Sequence, residues 1–145
     1  MALTLDFLAK TLLDAPIGYV EQMLGEILKR PVHIDVVEQN STSGSKYVRK
    51  VVIAAGQIPI VSAVVWFDSK ILPKSVMSDL LQKKEGIGNI LRKNNITAQR
   101  RRVLINFDPN GKKITRTYEI VHKDIVWFQI NEEIRLDLLG ACQDR

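Results

Sequence analysis

The stretch IVWFQINEEI, residues Ile125–Ile134, reads as a β-strand with two unequal faces. Its even positions are Val126, Phe128, Ile130, Glu132 and Ile134; its odd positions are Ile125, Trp127, Gln129, Asn131 and Glu133. Side chains alternate across a strand, so the even set is the side that seeks a core. That apolar side nevertheless carries a carboxylate, Glu132, between two isoleucines, while Glu133 points the other way. A buried carboxylate needs a cation, hydrogen-bond donors, water or a proton.

Candidate partners lie on other strands. In KYVRKVVIAA, from Lys46, the odd face holds Tyr47, Arg49, Val51 and Ile53, so Arg49 stands among apolar neighbours while Lys50 points away. Arg116 raises the same question beside Ile114, Tyr118 and Ile120. A guanidinium grips a carboxylate through two parallel hydrogen bonds, in a bound molecule as well as in a side chain. The plainer alternatives are strand-end residues that reach water and ion pairs that serve structure alone.

The remaining elements follow from periodicity and punctuation. Leu5, Leu8 and Leu12 form a short helical stripe, and Asp14 before Pro16 stops it and starts a second. Ile17, Val20, Met23, Leu24, Ile27 and Leu28 continue at helical spacing up to Pro31. A strand from Val32 to about Glu38 precedes NSTSGS (Asn40–Ser45), which reads as a loop. KYVRKVVIAA and IPIVSAVVWF give two more strands, and Pro73 opens a short helix with Val76, Met77, Leu80 and Leu81 on one side. GIGNILRKN starts another helical turn. Strands at about Thr97–Phe107 and Ile114–His122 flank the turn DPNG, and HKD leads into the opening stretch. Short connections favour antiparallel neighbours. The expected fold class is α+β, with a six-stranded antiparallel sheet and helices on one face or end, in a single domain over residues 1–145.

Composition bounds the rest. At 145 residues and 46% hydrophobic content the chain is long and apolar enough for one real core, which sets disorder aside. A single cysteine, Cys142, excludes an internal disulfide framework, and its position suggests a loose tail. His33 and His122 lack metal-ligand spacing, so no metal is expected. The N-terminus lacks a basic leader region, and no run is long enough to span a bilayer, which gives a cytoplasmic expectation. A net charge of +5 favours anionic partners. Lys83, Lys84, Arg92, Lys93 and Arg100 to Arg102 form a basic region that reads as a solvated face. No RNA-recognition signature accompanies it, so nucleic acid is not the expected partner.

Four segments in order resemble the chorismate pyruvate-lyase family, in particular its short prokaryotic and plastid-type members. They are LLDAPIGYVEQMLGEILKRPVHI, VRKVVIAAGQIPIVSA, GIGNILRKNNI and INEEI, and together they cover about Leu12 to Ile134. The resemblance implies the chorismate lyase-like sheet with a buried ligand site. It also implies a carbon–oxygen lyase that eliminates pyruvate from chorismate, without a cofactor, to give 4-hydroxybenzoate, a quinone precursor. Carried over, the family's site arginine falls on Arg49, its glutamate on Glu132, its backbone donor on Ile87, and a pocket-lining apolar residue on Ile17. Arg49 and Glu132 would then be the catalytic pair around the substrate. The chain departs from the pattern at Val64, where the family often has arginine, and at Ile134–Arg135, where a Phe-Pro step is common. A related sheet also serves as the effector-binding domain of transcription regulators, so the alternative is a non-catalytic domain that binds an aromatic carboxylate.

Overall fold

The computed structural model describes residues 5–143. The N-terminal residues 1–4, part of the stretch on which the absence of a leader was read, lie outside it. Six strands form one antiparallel sheet: β1 (Val32–Ser43), β2 (Lys46–Ala55), β3 (Ile58–Asp68), β4 (Gln99–Phe107), β5 (Lys113–His122) and β6 (Ile125–Arg135), in the order β1-β2-β3-β6-β5-β4. The helices are α1 (Leu5–Asp14), α2 (Val20–Leu28), α3 (Lys74–Leu81), α4 (Ile87–Lys93) and α5 (Leu136–Gln143). The α+β expectation holds, and each hairpin strand pairs with its sequence neighbour.

The even positions of β5 and β6 face the helices. Ile114, Arg116, Tyr118 and Ile120 are buried on β5, as are Phe128, Ile130, Glu132 and Ile134 on β6. The core on this side is divided. At one end Leu8, Leu12, Leu24 and Leu139 from α1, α2 and α5 pack on Ile53, Ile60, Ile114 and Ile134. At the other, Val76, Leu80, Ile90 and Leu91 from α3 and α4 pack on Val65, Phe67, Phe128 and Ile130. Ala63, half-way along β3, is too small to close the gap between the two halves.

Three expectations need correction. β1 does not stop near Glu38; it runs to Ser43, and NSTSGS shrinks to a tight turn at Gly44, whose φ of +58° suits glycine. β1 is an edge strand whose end is solvent-exposed, so polar residues can still pair there. The second helix begins at Val20, which leaves Ile17 in the connection before it. Cys142 is not in a loose tail: it is 1% exposed on α5, where Leu136, Leu139 and Cys142 recur every three residues and dock on the core. Its carbonyl also accepts a hydrogen bond from Arg30 at 3.0 Å.

The α1–α2 connection crosses the start of α4 at Gly18 and Gly88. A Cβ on Gly88 would lie 2.2 Å from both N and Cα of Gly18, and Gly18 itself has a φ of +90°. Only two glycines let these backbones pass so closely. Gly88→Ala should therefore destabilise the protein by about 1–3 kcal/mol through overpacking. Gly25→Ala, whose added Cβ would make ordinary contact with Val32 at 3.5 Å inside α2, should stabilise it by about 0.5–1 kcal/mol. Urea denaturation of both variants checks the opposite signs.

Candidate functional site

The gap in the core is a cavity of about 340 Å³. Its floor is the sheet face, from Val51 and Ile53 on β2 across Val61, Ala63 and Val65 on β3 to Ile130 and Glu132 on β6 and Tyr118 and Ile120 on β5. Its walls are Ile17, Gly18, Val20, Glu21 and Gln22 on one side and Lys84 to Asn89 with Arg92 on the other. The Gly18–Gly88 crossing is where these walls meet.

Glu132 lies on the cavity floor, 7% exposed, and its partner is Arg116, directly opposite it on β5. The guanidinium of Arg116 forms a buried ion pair with Glu132 Oε1, through both Nε and Nη2. Its Nη1 donates to the carbonyl of Leu13 at 2.9 Å, near the end of α1. The Tyr118 hydroxyl donates to Glu132 Oε2 at 3.1 Å. Burial, reinforced by the Glu132 carboxylate, pushes the Tyr118 phenol up to about 12, with Arg100 and Arg116 opposing.

Arg100 completes this corner. Its guanidinium sits 5.2 Å from the centre of the Tyr118 ring and donates through Nη1 to the carbonyl of Ala15 at 2.7 Å. Arg100 lines the cavity, its Nε is buried without a hydrogen-bond partner, and no carboxylate among the described residues forms a salt bridge with it. The other carboxylates around the cavity differ. Glu85 is held by Asn89 at 2.8 Å and by Lys93 at 2.6 Å. Burial raises the pKa of Glu21, against the influence of His33.

Arg49 is fully buried on the same sheet face, but it does not line the cavity. Its Nη1 donates to Gln39 Oε1 at 3.2 Å and points at the Leu80 carbonyl at 3.5 Å, while Nη2 donates to the Glu85 carbonyl. Gln39 Nε2 also donates to the Leu80 carbonyl at 2.9 Å. Arg49 thus ties the end of α3 and the α3–α4 connection to the sheet. Burial lowers its pKa to about 10, with the Glu85 carboxylate opposing, so it remains a cation at neutral pH. Of the four residues carried over from the resemblance, Ile17, Ile87 and Glu132 line one cavity and Arg49 stands outside it. The backbone N–H of Ile87 falls in the first turn of α4, where no intrahelical acceptor exists. Reading charge runs as solvated faces missed Arg100; its position opposite Ile120 puts it on the buried side.

Among the described residues no group of three or more His, Cys, Asp and Glu could hold a metal ion. No described helix is long and apolar enough to cross a membrane.

No protein-family model matches the chain, and no curated protein matches it. Solved structures do. The structure of PhnF from Mycobacterium smegmatis is similar with a TM-score of 0.57 at 11% identity, over 93% of this chain and 95% of that one. A transcriptional regulator of the GntR family from Bacillus cereus is similar with a TM-score of 0.51 at 13% identity, over 72% of this chain and 91% of that one. The fold is chorismate lyase-like, shared with regulators of this kind. The carbon–oxygen lyase expected from the resemblance is accordingly corrected. The likeness runs to a transcriptional regulator rather than an enzyme. The two residues cast as a catalytic pair are also engaged separately, Arg49 by backbone carbonyls and Glu132 by Arg116.

Two measurements test this geometry. Arg116→Met should destabilise the protein by about 3–5 kcal/mol, because it leaves the Glu132 carboxylate buried and alone. The double variant Arg116→Met/Glu132→Met should recover most of that loss in chemical denaturation. The folded-state pKa of Tyr118 is raised, so its contribution to stability is complete below the unfolded value of about 10 and disappears as pH climbs towards about 12. Tyr118→Phe should flatten the loss of stability over that alkaline window.

Proposed function

We propose that this chain is a non-catalytic binding domain for a small, largely apolar anion, with an aromatic carboxylate as the ligand class. The observation that carries the reading is Arg100, a cation that lines the cavity beside its apolar floor and forms no salt bridge with any described carboxylate. The cavity volume is at the lower end of the roughly 300–1,000 Å³ range of small-molecule sites. Its floor of valine, isoleucine and alanine suits a ring, and Lys84 and Arg92 add positive charge to the wall. Glu132 uses one oxygen towards Arg116 and the other towards Tyr118, and a carboxylate keeps further acceptor capacity for a ligand hydroxyl. In this reading Arg100 takes the ligand carboxylate, Glu132 orients the hydroxyl, the Ile87 N–H donates to the ligand, and Ile17 covers the ring. Arg49 holds the wall in place without touching the ligand. A regulator of the same fold supports a sensing use of the cavity.

Calorimetric titration with 4-hydroxybenzoate tests the reading, with chorismate supplied in a parallel assay for pyruvate. Binding with a Kd on the order of 10 μM is expected for a ligand of this size. Arg100→Met should weaken it about 10- to 100-fold, the worth of a charge-assisted hydrogen bond. An unchanged melting curve of that variant guards against misfolding. Absence of saturable binding by benzoate-type carboxylates, or release of pyruvate, defeats the proposal.

A further inference from the structure

One ring does not fill the cavity. An enclosed space of about 150 Å³ is enough for benzene, and this one measures about 340 Å³. Its floor crosses β2, β3, β6 and β5, about 14 Å at the usual strand spacing. Arg100, on β4, stands at one end of that floor. A ring whose carboxylate meets Arg100 lies over Tyr118 and Ile130 and does not reach the β2–β3 half.

That far half is apolar below and has one unanswered acceptor at its end. Val51, Ile53, Val61 and Ala63 form its floor. In register Ala63 lies directly between Val51 and Glu132, so the smallest floor side chain sits where the two halves join. Beyond them stands Glu21, in the first turn of α2. Val20 and Met23 of α2 pack in one cluster with Val32 and Ile34 of β1, and His33 of β1 is close enough to act on Glu21. β1 and β4 are the two edges of the sheet, so Glu21 and Arg100 face the cavity from opposite ends. Among the described residues the Glu21 carboxylate makes no hydrogen bond and no salt bridge. Its neighbours are engaged elsewhere, the His33 ring by Asp35 at 3.2 Å and the Gln22 amide by Glu26 at 3.2 Å. Lys84, on the opposite wall, is exposed to solvent. A half-buried carboxylate accepts only, and at the end of an apolar passage it calls for a donor.

We propose that the cavity takes an aromatic carboxylate two rings long, with a hydroxyl or amino donor at its far end directed to Glu21. The inference rests on Arg100 as the partner of the ligand carboxylate. The first ring then lies over Tyr118 and Ile130, the second over Ala63 and Val51, and Glu132 flanks their junction.

Calorimetric titration of the 145-residue chain with 4-hydroxybenzoate, biphenyl-4-carboxylate, 4′-hydroxybiphenyl-4-carboxylate and biphenyl-4,4′-dicarboxylate tests this. The hydroxybiphenyl acid should bind about 10- to 100-fold more tightly than 4-hydroxybenzoate, the effect of burying a further ring. It should also bind about tenfold more tightly than biphenyl-4-carboxylate, which lacks the donor. Glu21→Leu should erase that second difference, and Glu21→Gln, whose amide oxygen still accepts, should keep part of it. Ala63→Leu should reverse the first ranking, because its side chain takes the place of the second ring. Melting curves confirm that each variant is folded, and the ranking of the four acids on the wild-type chain needs no variant. Binding of 4-hydroxybenzoate with no gain from the second ring overturns this inference alone. So does a hydroxyl advantage that survives Glu21→Leu, or a dicarboxylate that binds most tightly, which would give the far end to Lys84. Binding of none of the four overturns it together with the binding function itself.

Discussion

A carboxylate and a guanidinium buried side by side on one sheet face, Glu132 and Arg116, must satisfy each other, because neither can turn to bulk water. Their directly opposed positions on β6 and β5 make this possible without distorting either strand. The remaining donor of Arg116 reaches the Leu13 carbonyl, and the remaining oxygen of Glu132 takes the Tyr118 hydroxyl. One pair thus ties together two strands, the end of α1 and the polar corner of the cavity. A hydrophobic replacement of both residues could be as stable. It would leave a cavity floor with no acceptor and an α1 terminus with an unmatched carbonyl.

The cavity has a different physical origin. Large side chains from α1, α2 and α5 fill one half of the helix-facing side, and those from α3 and α4 fill the other. Nothing large stands between them at Ala63. A void of this kind normally collapses, because its lining loses dispersion contacts. Collapse is opposed here by braces at both walls. The Gly18–Gly88 crossing fixes the distance between the α1–α2 connection and α4, and Arg49 holds the α3–α4 connection by its carbonyls. The space is therefore held open by its surroundings, as a preformed site requires.

Much of this was legible from residues alone, and the register of β5 and β6 shows how much more could have been read. The apolar positions of both strands are even-numbered. The tight turn at Lys123–Asp124 pairs His122 with Ile125 and Val121 with Val126, a register that opposes even to odd. The two apolar faces can coincide only if one residue is inserted. The structure has that irregularity between Ile120 and Val121, after which Arg116 meets Glu132. Parity and turn length together required the bulge, and with it the ion pair. Arg100 was harder to place, because a second irregularity, between Arg101 and Leu104, separates its parity from that of Val103 and Ile105. Within a run of three arginines nothing local distinguishes the one that turns inwards. Helix α5 was missed for a simpler reason: its buried Leu136, Leu139 and Cys142 recur at helical spacing over less than two turns, too short a stripe to stand out.

The lyase expectation failed at an instructive point. Arg49 and Glu132 were rightly singled out as charges on apolar faces, and both are buried on the same side of the sheet. The step from there to a shared guest came from the family resemblance, whereas the residues by themselves also allowed ion pairs that serve structure alone. Buried charges are satisfied first by whatever lies within hydrogen-bond reach, and a cross-strand neighbour is about 5 Å away before any ligand arrives. Arg116 occupies that position for Glu132. Arg49 sits on β2, separated from β6 by β3, and finds backbone carbonyls of the α3–α4 connection instead. The residue left for a guest is the one whose charge the fold does not answer. Neither Arg49 nor Arg100 touches a carboxylate among the described residues, and each has a buried Nε without a partner; the informative one is Arg100, because it lines the cavity and Arg49 does not.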